Sequence, residues 1–494
     1  MLQDLFRKLF GTPPPTPKQG QSSQNSRKPS ATLAPPPPVR VDTPTPPVSP
    51  AKNVDAEVVE LPAHTARNAK SKTQRPSRTK RLPLDLDLGI DIGTSCTKVV
   101  VGDREANRQW AIQLRSDKDP LKAHLLPTHV YFNQGDYSLD PAPGAELRRN
   151  LKMRLMESLA RGGSVDGEAM CDITAYAALV LRRVLHVTEA ELQQRQPNRE
   201  VVWHVNVGLP SRGGSADIFG PTYRRIIQAA AAVAVGTQSI DRLALECHLN
   251  QVVVESWLSA DRLNAFPEAG AQLASLVLSP HRPSGCLLVV DVGAGTLDVS
   301  ALRIGGDKTT ARCTIHCCNV APLGVHYLHL ARLGAWTDAG VDITALQHIP
   351  EDDGATRLSP SRTKSPSPAF VEQCKSAILP TVTRYRQKLR AAHQSPSFRP
   401  WTDGLHYILS GGGHRDAFYQ HLLQHELDRW LATVASEWDP TAVPPRRAGL
   451  KLRQFPLPPN FLPKKLHPHF DRFSVAHGLS LGPDGLMELK DIST

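Results

Sequence analysis

The sequence predicts an α/β protein with two related lobes facing one ligand, preceded by a long tail that does not fold by itself. Three observations carry this expectation. Strand-like and helix-like segments alternate from Leu84 onward. Two glycine hairpins, GIDIGTSCTKVVVG from Gly89 and VDVGAGTLDVSAL from Val290, echo each other across a domain-sized interval. The 43 prolines crowd into the first part of the chain and a few later loops.

The tail divides into two pieces. Residues 1–10, MLQDLFRKLF, put Leu2, Leu5, Phe6, Leu9 and Phe10 on one helical face beside Arg7 and Lys8. A helix this short is marginal alone. Either it docks peripherally on a membrane surface or a protein partner, or it is a frayed terminus. Residues 11–83 are rich in Pro, Ser, Thr, Lys and Arg, which bury too little surface to offset chain entropy. They are expected to form a disordered, partly polyproline-like linker.

Charge follows the same division. Of the net +11, residues 1–81 supply most, with 14 Lys and Arg against 5 Asp and Glu. A basic balance signals nucleic acid or an acidic membrane. Here that signal is confined to the tail, where a solvated segment explains it equally, and nucleic acid is not favoured. No secretory leader or apolar run of membrane-spanning length is read from the sequence. The 8 scattered cysteines suit reduced thiols and a cytoplasmic setting. Cys313, His316, Cys317 and Cys318 invite a zinc reading. Without a second ligand pair at finger spacing, a strand with buried thiols is the better expectation.

From Leu84, DLDLGIDIG and TKVVVGD read as two strands around a tight turn. Helices are expected at Lys152–Leu159 and Asp172–Leu185, a strand at Val201–Gly208 and a helix at Tyr223–Val233. Cys286–Val292 and Leu297–Ile304 form the second strand pair. Residues 351–368 read as a loop. Phe370–Ala392 reads as a helix broken or kinked at Pro380. Tyr407–Ser410 is a short strand running into Gly411, Gly412 and Gly413.

The hairpins carry the chemistry. A phosphate chain needs backbone N–H groups at close range, and glycine permits both the turn and the approach. Hydroxyls add hydrogen bonds, and a carboxylate holds Mg²⁺ through water. Asp91, Gly93, Thr94 and Ser95 bring these parts from one hairpin. Asp291, Gly293, Gly295 and Thr296 bring them from the other. Lys98 adds a point charge for a phosphate oxygen.

In this arrangement the chain resembles the superfamily of actin, the 70-kDa heat-shock chaperones and the sugar kinases. Asp91–Ile92–Gly93–Thr94–Ser95 matches its first phosphate motif. Asp291–Val292–Gly293–Ala294–Gly295–Thr296–Leu297–Asp298 matches its second, in a form close to the chaperones. Ile408–Leu409–Ser410–Gly411–Gly412–Gly413–His414–Arg415 matches its adenosine motif. The resemblance covers residues 84–494, with one lobe at about 84–285 and the other at about 286–494. It implies a bilobed actin-like ATPase domain binding ATP or ADP with Mg²⁺, the metal facing Asp91 and Asp291. It implies that Gly411–Gly413 lie against the nucleoside and that Arg415 stacks on adenine. Lys152 stands where the chaperones place a Lys toward the γ-phosphate. Asp291, Thr296 and Lys152 would then orient the attacking water. Glu255 takes the place of a Glu near the metal, without the small residues that usually follow it. Tyr223–Val233 resembles the first connecting helix and Phe473–Ser480 the second.

The superfamily hosts several functions. No β-rich peptide-binding segment is read after the second connecting helix. The expectation is therefore a stand-alone chaperone-like ATPase whose nucleotide state switches its grip on an unidentified protein partner. An actin-like scaffold, a small-molecule kinase and a pseudo-ATPase are the alternatives.

Overall fold

A computed structural model describes residues 82–482, apart from 161–165, 196–197, 210–215, 236–238, 252–255, 280, 283–284, 306–311, 339–367, 394–405, 427–428 and 430–450. The expectations for residues 1–81, for Glu255 and for nearly all of the 351–368 loop lie outside the described residues. The fold is mixed α/β, and no helix among the described residues is long and apolar enough to cross a membrane.

The first half of the chain supplies strands β1 (Leu82–Ile92), β2 (Cys96–Asp103), β3 (Arg108–Ala111), β4 (Leu126–Pro127), β5 (Val130–Asn133), β6 (Asp136–Ser138), β7 (Glu146–Arg148), β8 (Arg199–Leu209), β9 (Ile240–Asp241) and β10 (Leu263–Pro267). The second supplies β11 (Gly285–Val292), β12 (Leu297–Gly305), β13 (Arg312–Ala321), β14 (His406–Ser410), β15 (Lys451–Arg453) and β16 (Phe461–Leu462). The larger sheet runs β10-β8-β1-β2-β3-β16, with β4 beside β2. The second runs β13-β12-β11-β14-β15, and β7-β5-β6-β9 form a small third sheet.

The pseudo-repeat read from the hairpins extends to whole sheets. In the larger sheet β1, β2 and β3 are antiparallel neighbours, while β8 and then β10 follow parallel on the other side of β1. In the second sheet β11, β12 and β13 are antiparallel, and β14 and β15 follow parallel on the other side of β11. The two sheets therefore share strand order and strand direction.

Alternation in β1 explains its place. Leu84, Leu86, Leu88, Ile90 and Ile92 occupy one face and are all buried, worth roughly 1.5–3 kcal/mol each. They pack on helices α1 (Leu151–Ala160), α2 (Gly167–Arg195) and α3 (Ala216–Ala234), whose Leu155, Tyr176, Leu181 and Ile227 join the same core. Helix α4 (Arg242–Asn250) completes that layer. The opposite face of β1 carries Asp87, which binds Arg104, and Gly89. A side chain at Gly89 would meet the Ala476 carbonyl at 2.2 Å, so only glycine lets the C-terminal helix lie on this strand.

Helix α5 (Glu268–Val277) follows β10 directly. Helices α6 (Val325–Asp338), α7 (Pro368–His393) and α8 (Ala417–His421) belong to the second sheet, whose core holds Val290, Val292, Leu328, Ile378 and Tyr385. Helix α7 is not broken at Pro380, where a break or a kink was expected; loss of one N–H is tolerated by its packing on β12 and β13. Helix α9 (Ser474–Leu479) crosses α5 at van der Waals distance, with the space for a side chain at Gly478 filled by the Ala271 backbone.

Two expectations are corrected by this packing. Tyr223–Val233 lies within α3, which packs on α2 and α4; the helix that crosses α9 is α5. A split at residue 285 also fails for the C-terminal segment, because β16 pairs with β3 and α9 covers β1 and β2. All the described residues belong to one compact unit.

Candidate functional site

A cavity of about 630 Å³ opens between the two hairpins. Every described site residue expected from the sequence lines it: Asp91, Gly93, Thr94, Ser95 and Lys98 from the first hairpin, Asp291, Gly293, Gly295 and Thr296 from the second, Lys152 from α1, and Gly411, Gly412, Gly413 and Arg415 from the loop after β14. Glu255 lies outside the described residues.

Register places the paired hairpin groups. Asp91 stands opposite Lys98 across β1 and β2, and Asp291 stands opposite Asp298 across β11 and β12. The same seven-residue offset thus gives an ion pair in one hairpin, at 3.0 Å, and two carboxyl groups in the other. The tips meet: a Cβ at Gly295 would lie 3.1 Å from Thr94 Oγ1. Each tip is braced. The Thr128 hydroxyl donates to the Gly93 carbonyl at 2.8 Å. The first amides of α6, from Gly324, Val325 and His326, donate to the carbonyls of Gly295, Gly293 and Ala294. The loop after β14 comes against the second hairpin, with the Cβ position of Gly411 2.4 Å from Asp291 Oδ1.

Three cavity residues escaped the sequence reading. Glu268 opens α5 and binds Lys152, itself only 5% exposed. The signal available was the run Pro267–Glu268–Ala269–Gly270–Ala271, a helix start built of small residues. Gln272, one turn further, donates through Nε2 to Asp291 Oδ2 and, at 2.8 Å, to the Ser410 hydroxyl, joining α5, β11 and β14. Asp298 could have been found from its offset to Asp291, which repeats that of Lys98 to Asp91.

Electrostatics follow from this crowding. Burial pushes the Asp291 carboxyl up, against the hydrogen bond from Gln272 and the charge of Lys98. Burial pushes Asp298 well above the usual carboxylate range, and the like charges of Asp291 and Glu268 add to it. Burial raises Glu268 as well, opposed by Lys152. Burial alone would lower Lys152, but Glu268, Tyr223 and Asp91 outweigh it and hold the ammonium charged.

Asp298 Oδ1 is buried with no hydrogen-bond partner among the described residues, an oxygen donor open to a hard cation beside Asp291. Among the described residues no group of three or more His, Cys, Asp or Glu side chains is placed to hold a metal ion. A cation here would take its remaining oxygens from water and ligand. The four thiol-motif residues sit on β13, where burial raises the Cys313 thiol to about 12 and His316 packs on Tyr385 with ring centres 5.1 Å apart.

At the far end Arg415 Nη2 donates to Asp471 Oδ1 at 2.6 Å and to the Pro468 carbonyl at 3.0 Å. The guanidinium nearest Gly412 is instead that of Arg472, with Cζ, Nε and Nη2 each 3.2 Å from the Cβ position. No protein-family model matches the chain, and no curated protein matches it at a significant level.

Proposed function

We propose that the chain is an ATP-binding protein of the actin, heat-shock-chaperone and sugar-kinase superfamily, with an actin-like bilobed fold and Mg²⁺-dependent ATPase chemistry. The observation that carries this is convergence: two hairpins with matching register, from two sheets of matching topology, and a triple-glycine loop all face one cavity. The cavity suits a nucleoside triphosphate in size and in its backbone-lined walls.

On this reading the amides of Gly93–Ser95 and Gly293–Thr296 cradle the phosphates from two sides, and Lys98 leaves Asp91 for a phosphate oxygen. Asp91, Asp291 and Asp298 would hold the metal. Mg²⁺, when bound, offsets charge on the β- and γ-oxygens. Gln272 fixes the rotamer of Asp291. Lys152, held charged by Glu268, faces the terminal phosphate from α1. Helices α5 and α9 cross beside Gln272, so the nucleotide's state would reach the packing between the sheets and through it a protein partner.

Calorimetry of the full chain with MgATP tests the reading, together with Asp291→Asn. Parent protein should bind ATP and ADP, and the variant should bind with little loss. Single-turnover hydrolysis by the variant should fall about tenfold or more, equivalent to about 1.4 kcal/mol of transition-state stabilisation. A parent that takes up no adenine nucleotide overturns the proposal. A parent that binds without turnover leaves it a pseudo-ATPase.

A further inference from the structure

Four of the cations lining the cavity have an ion pair. Lys98 has Asp91, Lys152 has Glu268, Arg415 has Asp471, and Arg115 has Asp117 at 3.3 Å. Arg472 lines the same cavity and has no ion pair or hydrogen bond among the described residues; its Nε is buried and unpartnered. The nearest acid in the chain, Asp471, is already engaged by Arg415 and lies 3.5 Å from His414.

Nor is Arg472 loosely placed. The hydroxyls of Ser410 and Ser474 both donate to the carbonyl of Asp471 at 3.1 Å, and the Phe473 amide donates to the Phe470 carbonyl at 2.8 Å. The backbone on either side is thus fixed. The guanidinium lies against Gly412, one residue from Gly411, whose Cβ position is 2.4 Å from Asp291. A half-buried guanidinium without a counter-charge is costly, and its fork of donors suits the oxygens of a phosphate.

We propose that Arg472 is an anion-binding residue of this cleft, and that its counter-ion is a phosphate group of the bound nucleotide. The inference rests on the nucleotide reading above and extends it to a residue outside the three motifs. The phosphate has two sources: the 5′ chain near its α-phosphate, or a phosphate carried on the ribose.

Calorimetry on the full-length parent, Arg472→Gln and Arg472→Lys, with adenosine, AMP, MgATP and adenosine 3′,5′-bisphosphate, tests it. Arg472→Gln should weaken at least one phosphorylated ligand about tenfold while adenosine is unchanged. Losses of equal size for AMP and ATP assign the 5′ chain. A loss confined to the bisphosphate assigns the ribose phosphate. Arg472→Lys, which keeps the charge and loses the fork, should recover part of the affinity. Thermal melts identify a misfolded variant, and if Arg472→Gln is one, the lysine variant decides by the same contrast with adenosine. An equal loss for adenosine means that Arg472 stacks on the base and overturns the proposal, as does unchanged binding of all four ligands. A parent that binds none of them fails the nucleotide reading itself, a result distinct from variants that match a binding parent.

Discussion

Gly411 is the position where a single methyl group should do most damage. Its backbone lies at φ 76° and ψ 163°, a region that only glycine enters freely. Forcing alanine there costs about 1–3 kcal/mol. The added Cβ would also lie 2.4 Å from both the Val292 carbonyl and Asp291 Oδ1. One of these is backbone at the end of the sheet's central strand and cannot swing away, so overpacking adds about 1–3 kcal/mol more. Gly411→Ala should therefore be destabilised by about 2–6 kcal/mol and should displace Asp291. Gly412→Ala is the internal control. Its nearest neighbour is the end of the Arg472 side chain at 3.2 Å, which can shift, so its change should stay under about 1 kcal/mol. Urea unfolding followed by circular dichroism compares the two midpoints. Equal midpoints for both variants would refute the steric argument and the placement of this loop against the second hairpin.

Two further outcomes concern buried charge. Arg332 and Asp416 form a two-pronged pair at 2.9 and 3.0 Å, and Asp416 also accepts from the Phe418 amide at the start of α8. Asp416→Ala leaves a buried guanidinium alone and should cost about 3–5 kcal/mol in urea unfolding, whereas Arg332→Met with Asp416→Leu should recover most of it. His477 is buried, shares a 2.5 Å hydrogen bond with Ser275, and is held at a pKa of about 3 by burial. Its folded pKa lies below the unfolded one of about 6.5, so the unfolded chain binds the proton first and stability falls as pH drops from about 6.5 toward 3. Between pH 7 and pH 5.5 this group should account for about 1.2 kcal/mol of lost stability, and His477→Asn should show a correspondingly shallower slope.

The site was more legible in the sequence than the scaffold around it. Hairpin chemistry is local: a glycine turn, an aspartate and a hydroxyl lie within six residues, so Asp91 and Asp291 could be read directly. Glu268 offered only a helix start of small residues, and Gln272 reaches Asp291 and Ser474 through packing between segments, the second some 200 residues away. Helix α3 misled for a related reason. Its run of alanines, at Ala229–Ala232, suits any close helix contact, and only the tertiary packing assigns it to α2 rather than to α9. A break at Pro380 was the usual local expectation, and packing on β12 and β13 carries the helix through it. The return of β16 to β3 was invisible because a two-residue strand carries no periodicity.

Helix α9 also sets a schedule for synthesis. Gly89 and Gly102 keep a bare track on β1 and β2 that residues 476–480 fill, mostly with backbone. Asn206, wholly buried on β8, gives its amide to the Leu479 carbonyl, 273 positions later in the chain. At about 5–20 residues per second, a ribosome needs roughly 15–55 seconds to travel that distance. Until then neither the backbone that covers the central strands of the larger sheet nor the acceptor for Asn206 has been made. The step that covers these strands therefore cannot precede the synthesis of residue 480.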